Sequence, residues 1–369
     1  MKGFKRFIQE SKTPSFNQGH AYEFVLAAAM VSKFTDRYDD GSPETLTPAS
    51  VEDVMKQYFR GNTLWNVAEG DDQVDVVEFD GAGLPRDVLE ILRDDSFRKG
   101  KIVKDMVNTA IRAVNANSTL TKLSMEVITN NKSDDVTIAC GGTEGQMTTK
   151  SDVNVFVNDR KQRKAGFSVK YGGVQQVGQF AGVDAAKNLI DGFGSFGLNV
   201  RGLSSIRNLS TVLTTIKGVY EPPASKDDPD IIRDKSIVFP AVRKVFEDVI
   251  SRFGSKWLSK NADSIMSGLR KAALGREDDV EIIKGSLSYD KRTFDGISRG
   301  LRIAAENNKT EWRMESGENP TIGLYADGMK LFQVRFRYDR DRKKDVYKVR
   351  FRLYVEIAPT LSKFADMHK

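Results

Sequence analysis

Asp152 and Lys170 stand near matching ends of one stretch, SDVNVFVNDRKQRKAGFSVKYGG, residues 151–173, which reads as two short strand-like runs joined by a basic turn. Side chains alternate along a strand, so Asp152, Asn154 and Phe156 share one face while Val153, Val155 and Val157 share the other. In the second run Ser168 and Lys170 point together, opposite Phe167, Val169 and Tyr171. One face of the pair is apolar and can pack against a helix, and the other brings an acid beside an amine. That combination suits phosphodiester hydrolysis. A carboxylate can hold Mg²⁺ (or Mn²⁺), a hard cation that takes oxygen ligands and keeps waters in its shell, and an ammonium can orient a water or stabilise charge building on the phosphate. The same two residues could equally form a salt bridge between neighbouring strands.

Periodicity shows which elements must position these residues. SFNQGHAYEFVLAAAMVSKF predicts a helix from near Gln18 with Tyr22, Leu26, Ala29 and Phe34 close to one stripe. VEDVMKQYF, entered through Pro48 and Ser50, predicts a short helix, and EGDDQVDVVEFD, residues 69–80, a solvated acidic hairpin or loop. FRKGKIVKDMVNTAIRAVNA places Ile102, Met106, Ala110 and Ile111 at helical spacing. LTKLSMEVITN, DDVTIAC, SDVNVFVN and AGFSVKYG alternate or are rich in β-branched residues and predict four strands, followed by a helical run, VQQVGQFAGVDAAKNLIDGF. EPPASKDDPD, residues 221–230, breaks both periodicities and is the linker candidate. Helices are expected around 237–253, 255–274 and 293–306, and the hairpin KLFQVRFRYDRDRKKDVYKVRFRLYVEIA closes the pattern. The order predicts an α/β (α+β) fold, a mixed central sheet flanked by helices.

Composition narrows the chemistry. The 369 residues suffice for one large domain or two modest ones. Cys140 is the single cysteine, so no internal disulfide forms, and with only His20 and His368 beside it there is no ligand set for a structural zinc. The scarcity of histidine also argues against a His general base and against Ser-His-Asp hydrolysis, which leaves carboxylates, lysines and hydroxyls. The net charge of +6 comes from 57 basic against 51 acidic residues, so nucleic acid is permitted without being demanded. No apolar run approaches the roughly 20 residues of a spanning helix, and MKGFKRFIQESK lacks the apolar core of a secretory signal, so no membrane partner and a cytoplasmic address are expected. Gly192-x-Gly194-x-x-Gly197 matches a dinucleotide-binding pattern but follows a helical run instead of a strand, and no Walker A sequence occurs.

Asp152, the intervening turn and Ser168-Val-Lys170 resemble the catalytic signature of the PD-(D/E)XK nucleases, the fold of many restriction enzymes and DNA-repair nucleases. Ser151 stands where that family often has Pro, and Ser168 replaces its usual second acid, as in some restriction enzymes that draw the missing carboxylate from elsewhere. The resemblance spans roughly residues 15–195. It implies a restriction-endonuclease-like core over 1–220 with a helical insertion at about 35–120, then a C-terminal helical region with the basic hairpin over 221–369. It further implies a Mg²⁺-dependent DNA nuclease, most simply an endonuclease, with Asp152 on the metal and Lys170 orienting water or stabilising charge. Family members commonly carry a Glu on the first core helix, which makes Glu23 the second metal-binding acid, with Ser168 and Gln179 in support. Asp134, Asp135 and Glu144 are the other acids that could fill that place.

The closing hairpin adds a basic ribbon, with Arg335, Arg337, Lys348, Arg350 and Arg352 on one side and Phe332, Val334, Phe336, Val349, Phe351 and Leu353 on the other. Such a ribbon can lie along a phosphate backbone or form a solvated sheet face. Lys161, Arg163 and Lys164 offer a second basic site beside the acid and the amine. DNA is thus the expected partner, and cutting both strands would need two active sites, which a homodimer supplies. An alternative from another class is a non-catalytic DNA-associated or virion structural protein with a nuclease-like sheet, since MKGFKRFIQE resembles the starts of proteins from large tailed phages. In that setting the cytoplasm would be that of a bacterium or a phage-infected cell. A third is an unrelated fold whose ribbon binds RNA or protein.

Overall fold

A computed structural model describes residues 17–35, 45–69, 73–129, 135–141, 151–158, 163–171, 176–221, 227–274, 280–284, 287–343 and 346–368. The chain runs α1 (Gln18–Thr35), α2 (Pro48–Phe59), the hairpin β1 (Leu64–Glu69) and β2 (Gln73–Asp80), helices α3 (Arg86–Arg93), α4 (Asp95–Arg98), α5 (Lys101–Ala116) and α6 (Ser118–Thr129), then β3 (Asp135–Cys140), β4 (Val153–Val157) and β5 (Arg163–Lys170). There follow β6 (Gln176–Gly182), α7 (Ala185–Ser195), α8 (Ser204–Leu213), β7 (Val219–Tyr220), α9 (Pro229–Arg252), α10 (Ser255–Leu274), β8 (Val280–Lys284) and β9 (Leu287–Tyr289). The last elements are α11 (Lys291–Glu306), β10 (Thr310–Met314), β11 (Thr321–Ala326), β12 (Met329–Lys343), β13 (Val346–Ile357) and α12 (Leu361–Asp366).

The fold is mixed α/β, and the chain divides into two units, Met1–Val174 with Glu277–Ser288, and Gln175–Arg276 with Tyr289–Lys369. The division falls just after the Lys170 strand, whereas the sequence suggests one near residue 220. The reason is pairing. β6 hydrogen-bonds to β13 and so joins the second unit, while β8 pairs with β5 and returns to the first. Among the described residues, no helix is long and apolar enough to cross a membrane.

In the first unit the sheet runs β1-β2-β3-β4-β5-β8-β9, with β3, β4 and β5 antiparallel in sequence and β8 parallel to β5. β2 adds to β3 in parallel, so the acidic segment at 69–80 is a sheet hairpin inside the expected helical insertion, not a free-standing loop. LTKLSMEVITN forms helix α6 and not a strand. Asn117 accepts a hydrogen bond from the Leu120 amide at 2.8 Å, and Leu120, Ser124 and Val127 are buried at helical spacing despite the β-branched content. α1 is buried from His20 through Phe34, against α5, α2 and strands β2, β3 and β5. A single apolar stripe is therefore too narrow a description. This helix is apolar nearly all round, as a helix enclosed by its domain must be.

In the second unit the antiparallel sheet runs β10-β11-β12-β13-β6, with β7 on β13. The QVGQFAG part of the expected helical run is strand β6. Gly178 and Gly182 weaken a helix there, and the helix starts only at Ala185, where Asp184 accepts from the Lys187 amide at 3.0 Å. Gly192 lies where a Cβ would collide with Leu353, and Gly197 has φ +80°, so two of the three glycines in the dinucleotide-like pattern serve helix packing and a turn. EPPASKDDPD lies within this unit, and its tail caps α9 through Asp228. Fully buried Asp234 accepts from the Lys217 and Gly218 amides and from Tyr220 Oη at 2.5 Å, tying β7 to α9.

The β12–β13 hairpin has the expected alternation, with Phe332, Val334, Phe336, Val349, Phe351 and Leu353 all buried. Its polar face is not a bare basic ribbon, because Asp339, Asp341 and Glu356 are interleaved with the cations. Arg350 pairs with Asp341 at 2.6 Å, Arg352 with Asp341 at 3.2 Å and Asp339 at 3.4 Å, Arg337 with Asp339 at 3.4 Å, and Arg335 with Glu356. Arg352→Gln should leave Asp339 and Asp341 each short of a cation and, for partly exposed pairs, lower stability by about 1 kcal/mol. Urea unfolding measures this, and adding Asp341→Asn to that variant should recover part of the loss. An unchanged midpoint would mean that the pairs contribute nothing.

Candidate active site

The first unit brings several strand ends to one edge of its sheet. β4 begins where β3 ends, β5 ends beside the start of β4, and β2 and β8, parallel to β3 and β5, finish at the same side. Asp152 immediately precedes β4, while Ser168 and Lys170 close β5. Ser151 fastens this corner. Its hydroxyl accepts from the Phe167 amide at 3.1 Å and lies 2.9 Å from Val153 O and 2.7 Å from Asn154 Oδ1. A Cβ on Gly166 would come within 2.9 Å of that hydroxyl, so close approach of the two strands needs glycine there.

Asp152 is 6% exposed, and its Oδ2 accepts three hydrogen bonds from the end of β5: from the Val169 amide at 2.6 Å, Ser168 Oγ at 3.3 Å and Lys170 Nζ at 3.5 Å. The expected acid–amine pair is thus formed, and Ser168 is part of it. All three donors meet one oxygen, and among the described residues the other carboxylate oxygen has no hydrogen bond.

Glu23 reaches the same edge from α1. Its flanking residues set the rotation of the helix. Tyr22 packs on Tyr171, one residue after Lys170, with ring centroids 4.8 Å apart, and Phe24 packs on Phe79 of β2 and on Tyr58 and Phe59 of α2 at 5.0–5.2 Å. Glu23 itself is 4% exposed, and its Oε2 has no hydrogen-bond partner among the described residues. Burial pushes its carboxyl up to about 8; the Asp152 charge pushes the same way and the Lys170 ammonium opposes. Glu23, Asp152 and Lys170 therefore share one electrostatic neighbourhood.

The remaining candidates distribute differently. Arg163 donates to Asn154 Oδ1 at 3.2 Å, next to the Ser151 corner, and Lys164 is exposed at the β-bulge of β5. Lys161, Asp134 and Glu144 lie outside the described residues, and Asp135 begins β3, at the opposite end of that strand from Cys140. Gln179 is not on a helix following Lys170. It is exposed on β6 of the second unit, opposite Tyr354 in register and bonded to Gln176, because the chain leaves the first unit as a strand. Arg335, Arg337, Lys348, Arg350 and Arg352 are in that second unit as well.

Sequence reasoning missed His20, one turn before Glu23 on the same face of α1. It is buried, its Nδ1 is 3.0 Å from the Asn17 amide nitrogen, and burial lowers its pKa while the Asp152 and Asp87 charges raise it. With Asn17 donating to Nδ1, the neutral ring carries its proton on Nε2. The i, i+3 spacing to Glu23 was the available signal. Cys140, the single cysteine of the sequence, lies nearby. It is buried, with its Sγ 4.0 Å from the Glu23 carbonyl, and burial raises its pKa, reinforced by Glu23, Asp80 and Asp152.

Among the described residues, no group of three or more His, Cys, Asp or Glu side chains is placed to hold a metal ion. Two carboxylates nevertheless fit Mg²⁺, which commonly takes one or two protein carboxylates and completes its shell with water and substrate phosphate. Glu23, with its unpartnered Oε2, and Asp152 are the two carboxylates that could serve. Set against protein-family models, curated proteins and solved structures, the chain matches none of them.

The raised Glu23 pKa has a signed consequence. Between its ordinary value of 4.5 and about 8 the folded protein keeps a proton that the unfolded chain has lost, so this group makes stability fall as pH rises through that window. Without divalent metal, Glu23→Gln should match the parent near pH 5 and exceed it near pH 8.5, by about 3 °C or more in Tm. Equal differences at the two pH values would show that Glu23 does not titrate in this range.

Proposed function

We propose that this protein is a metal-dependent DNA nuclease, acting as an endonuclease, on a restriction-endonuclease-like core. The observation that carries the reading is the convergence of Glu23, Asp152, Ser168 and Lys170 from a buried helix and two adjacent strand ends. A helix precedes three antiparallel strands and a fourth strand lies parallel to the third, but the helix that the resemblance expects directly after the Lys170 strand is absent among the described residues, where strand β6 of the second unit follows. In this reading 175–276 is a large excursion between the third and fourth core strands.

Glu23 and Asp152 would hold Mg²⁺ or Mn²⁺, which when bound acidifies a water and neutralises charge on the phosphate. The protein's own groups do the rest. The Val169 amide and the Ser168 hydroxyl fix the Asp152 carboxylate by holding its Oδ2. Lys170, tethered to the same carboxylate, holds its ammonium where it can orient the attacking water or stabilise the phosphorane charge. Burial of Glu23 as a neutral acid makes metal uptake release a proton, so activity should rise with pH towards 8. For DNA contact we assign Lys164 and Lys348, both exposed, ahead of the four arginines already matched by carboxylates. A non-catalytic DNA-associated or virion structural protein is the second reading, favoured by the small number of acids at the site.

Incubation of purified protein with supercoiled and linear DNA, with Mg²⁺ and with EDTA, separates the two. The parent should cut only with metal. Asp152→Asn keeps an acceptor for the Val169 amide but loses the charge, and should lower the cleavage rate by about 10²-fold or more with folding intact. Cleavage by this variant at the parental rate would remove Asp152 from the site, and no cleavage by the parent would favour the structural reading.

A further inference from the structure

Lys284 occupies a position that the reading above leaves unused. β8 pairs in parallel with β5 in the register Ser168↔Ile282, Val169↔Ile283 and Lys170↔Lys284. Paired residues on neighbouring strands project from the same face, and the strands lie about 4.8 Å apart, so the two lysines leave the sheet side by side. Their surroundings differ. Lys170 has Asp152 at 3.5 Å, whereas Lys284 is half-buried and has no carboxylate within ion-pair distance among the described residues. Burial alone pushes its ammonium below the ordinary lysine value. A half-buried cation without a counter-charge is unfavourable unless something supplies one.

The strand is held so that this side chain stays in place. Glu281, on the opposite face of β8, accepts from Asn117 Nδ2 and from Ser288 Oγ, both at 2.8 Å, and from Thr119 Oγ1. Asn117 and Thr119 thereby clamp β8 to the α5–α6 junction, and Ser288 ties the same carboxylate to β9. The register therefore puts two ammonium-bearing side chains on one face at this end of the sheet.

We propose that Lys170 and Lys284 together form an oxyanion site, in which Lys284 contacts a non-bridging phosphate oxygen of the substrate. The identity of the substrate as DNA rests on the nuclease reading; the oxyanion site itself does not. A phosphodiester carries one negative charge over two non-bridging oxygens, which suits two amines on adjacent strands better than one.

Two measurements on the full-length protein test this. In the first, inorganic phosphate is titrated without divalent metal and followed by its ³¹P resonance. The parent and Lys284→Arg should bind saturably, Lys284→Met should bind at least about tenfold more weakly, and Lys284→Gln should repeat that loss as a polar control for folding. In the second, Mg²⁺-dependent cleavage, Lys284→Met should lose rate while Lys284→Arg retains most of it. Absence of phosphate binding by the parent, or parental binding by both Lys284→Met and Lys284→Gln, overturns the inference whether or not DNA is cut. Phosphate binding of the expected pattern in a parent that cuts no DNA would uphold the oxyanion site and discard the nuclease reading instead.

Discussion

A carboxyl group at position 23 is kept from water by a helix that is covered on nearly every side, and much of the candidate site follows from that. Helix α1 can be buried so completely because VLAAAMV presents small and aliphatic side chains all round, and the aromatic contacts of Tyr22 and Phe24 then fix its rotation. Between those two anchors Glu23 is buried and has no hydrogen-bond partner for Oε2 among the described residues. Desolvation of an acid without compensation is unfavourable, and the protein answers it by protonation rather than by a salt bridge. A group in that condition is poised to exchange its proton for a cation.

The strand ends around it obey a second constraint. Antiparallel neighbours place the start of one strand beside the end of the next, so Asp152 before β4 must lie near Ser168 and Lys170 at the end of β5. A parallel partner for β5 cannot be reached by a hairpin, and here the crossover is more than a hundred residues long and contains strands β6 and β7 and four helices of the second unit. Loop-closure entropy grows only slowly with the length of such an excursion, which makes the arrangement tolerable when the excursion has its own core. The return of β8 places Lys284 in register with Lys170.

The polar face of the second unit shows why the position of a charge says more than the count. Read along the chain, the hairpin is dominated by Arg and Lys. Folded, Asp339, Asp341 and Glu356 stand across from or diagonal to the arginines, and the face becomes a network of pairs. Guanidinium groups engaged in this way support a solvated sheet face and have fewer donors to offer a phosphate.

Local patterns in the sequence determined a good deal. The alternation in SDVNVFVN and AGFSVKYG, the long apolar run after Glu23 and the two-faced closing hairpin each appear as written, because strand and helix periods act between near neighbours. The pairing of Asp152 with Ser168 and Lys170 follows from the same short-range rule. What only the tertiary structure decided were the choices that local propensity leaves balanced. LTKLSMEVIT became a helix because Asn117 caps it and its apolar residues meet a core at helical spacing, and QVGQFAG became a strand because β13 offered an edge to pair with. Gln179 went with that strand into the second unit, the burial of Glu23 and His20 required the packing of α1, and the register of Lys284 beside Lys170 required a pairing between residues more than a hundred positions apart. Contacts of that range depend on the whole assembled core, and no periodicity within either segment encodes them.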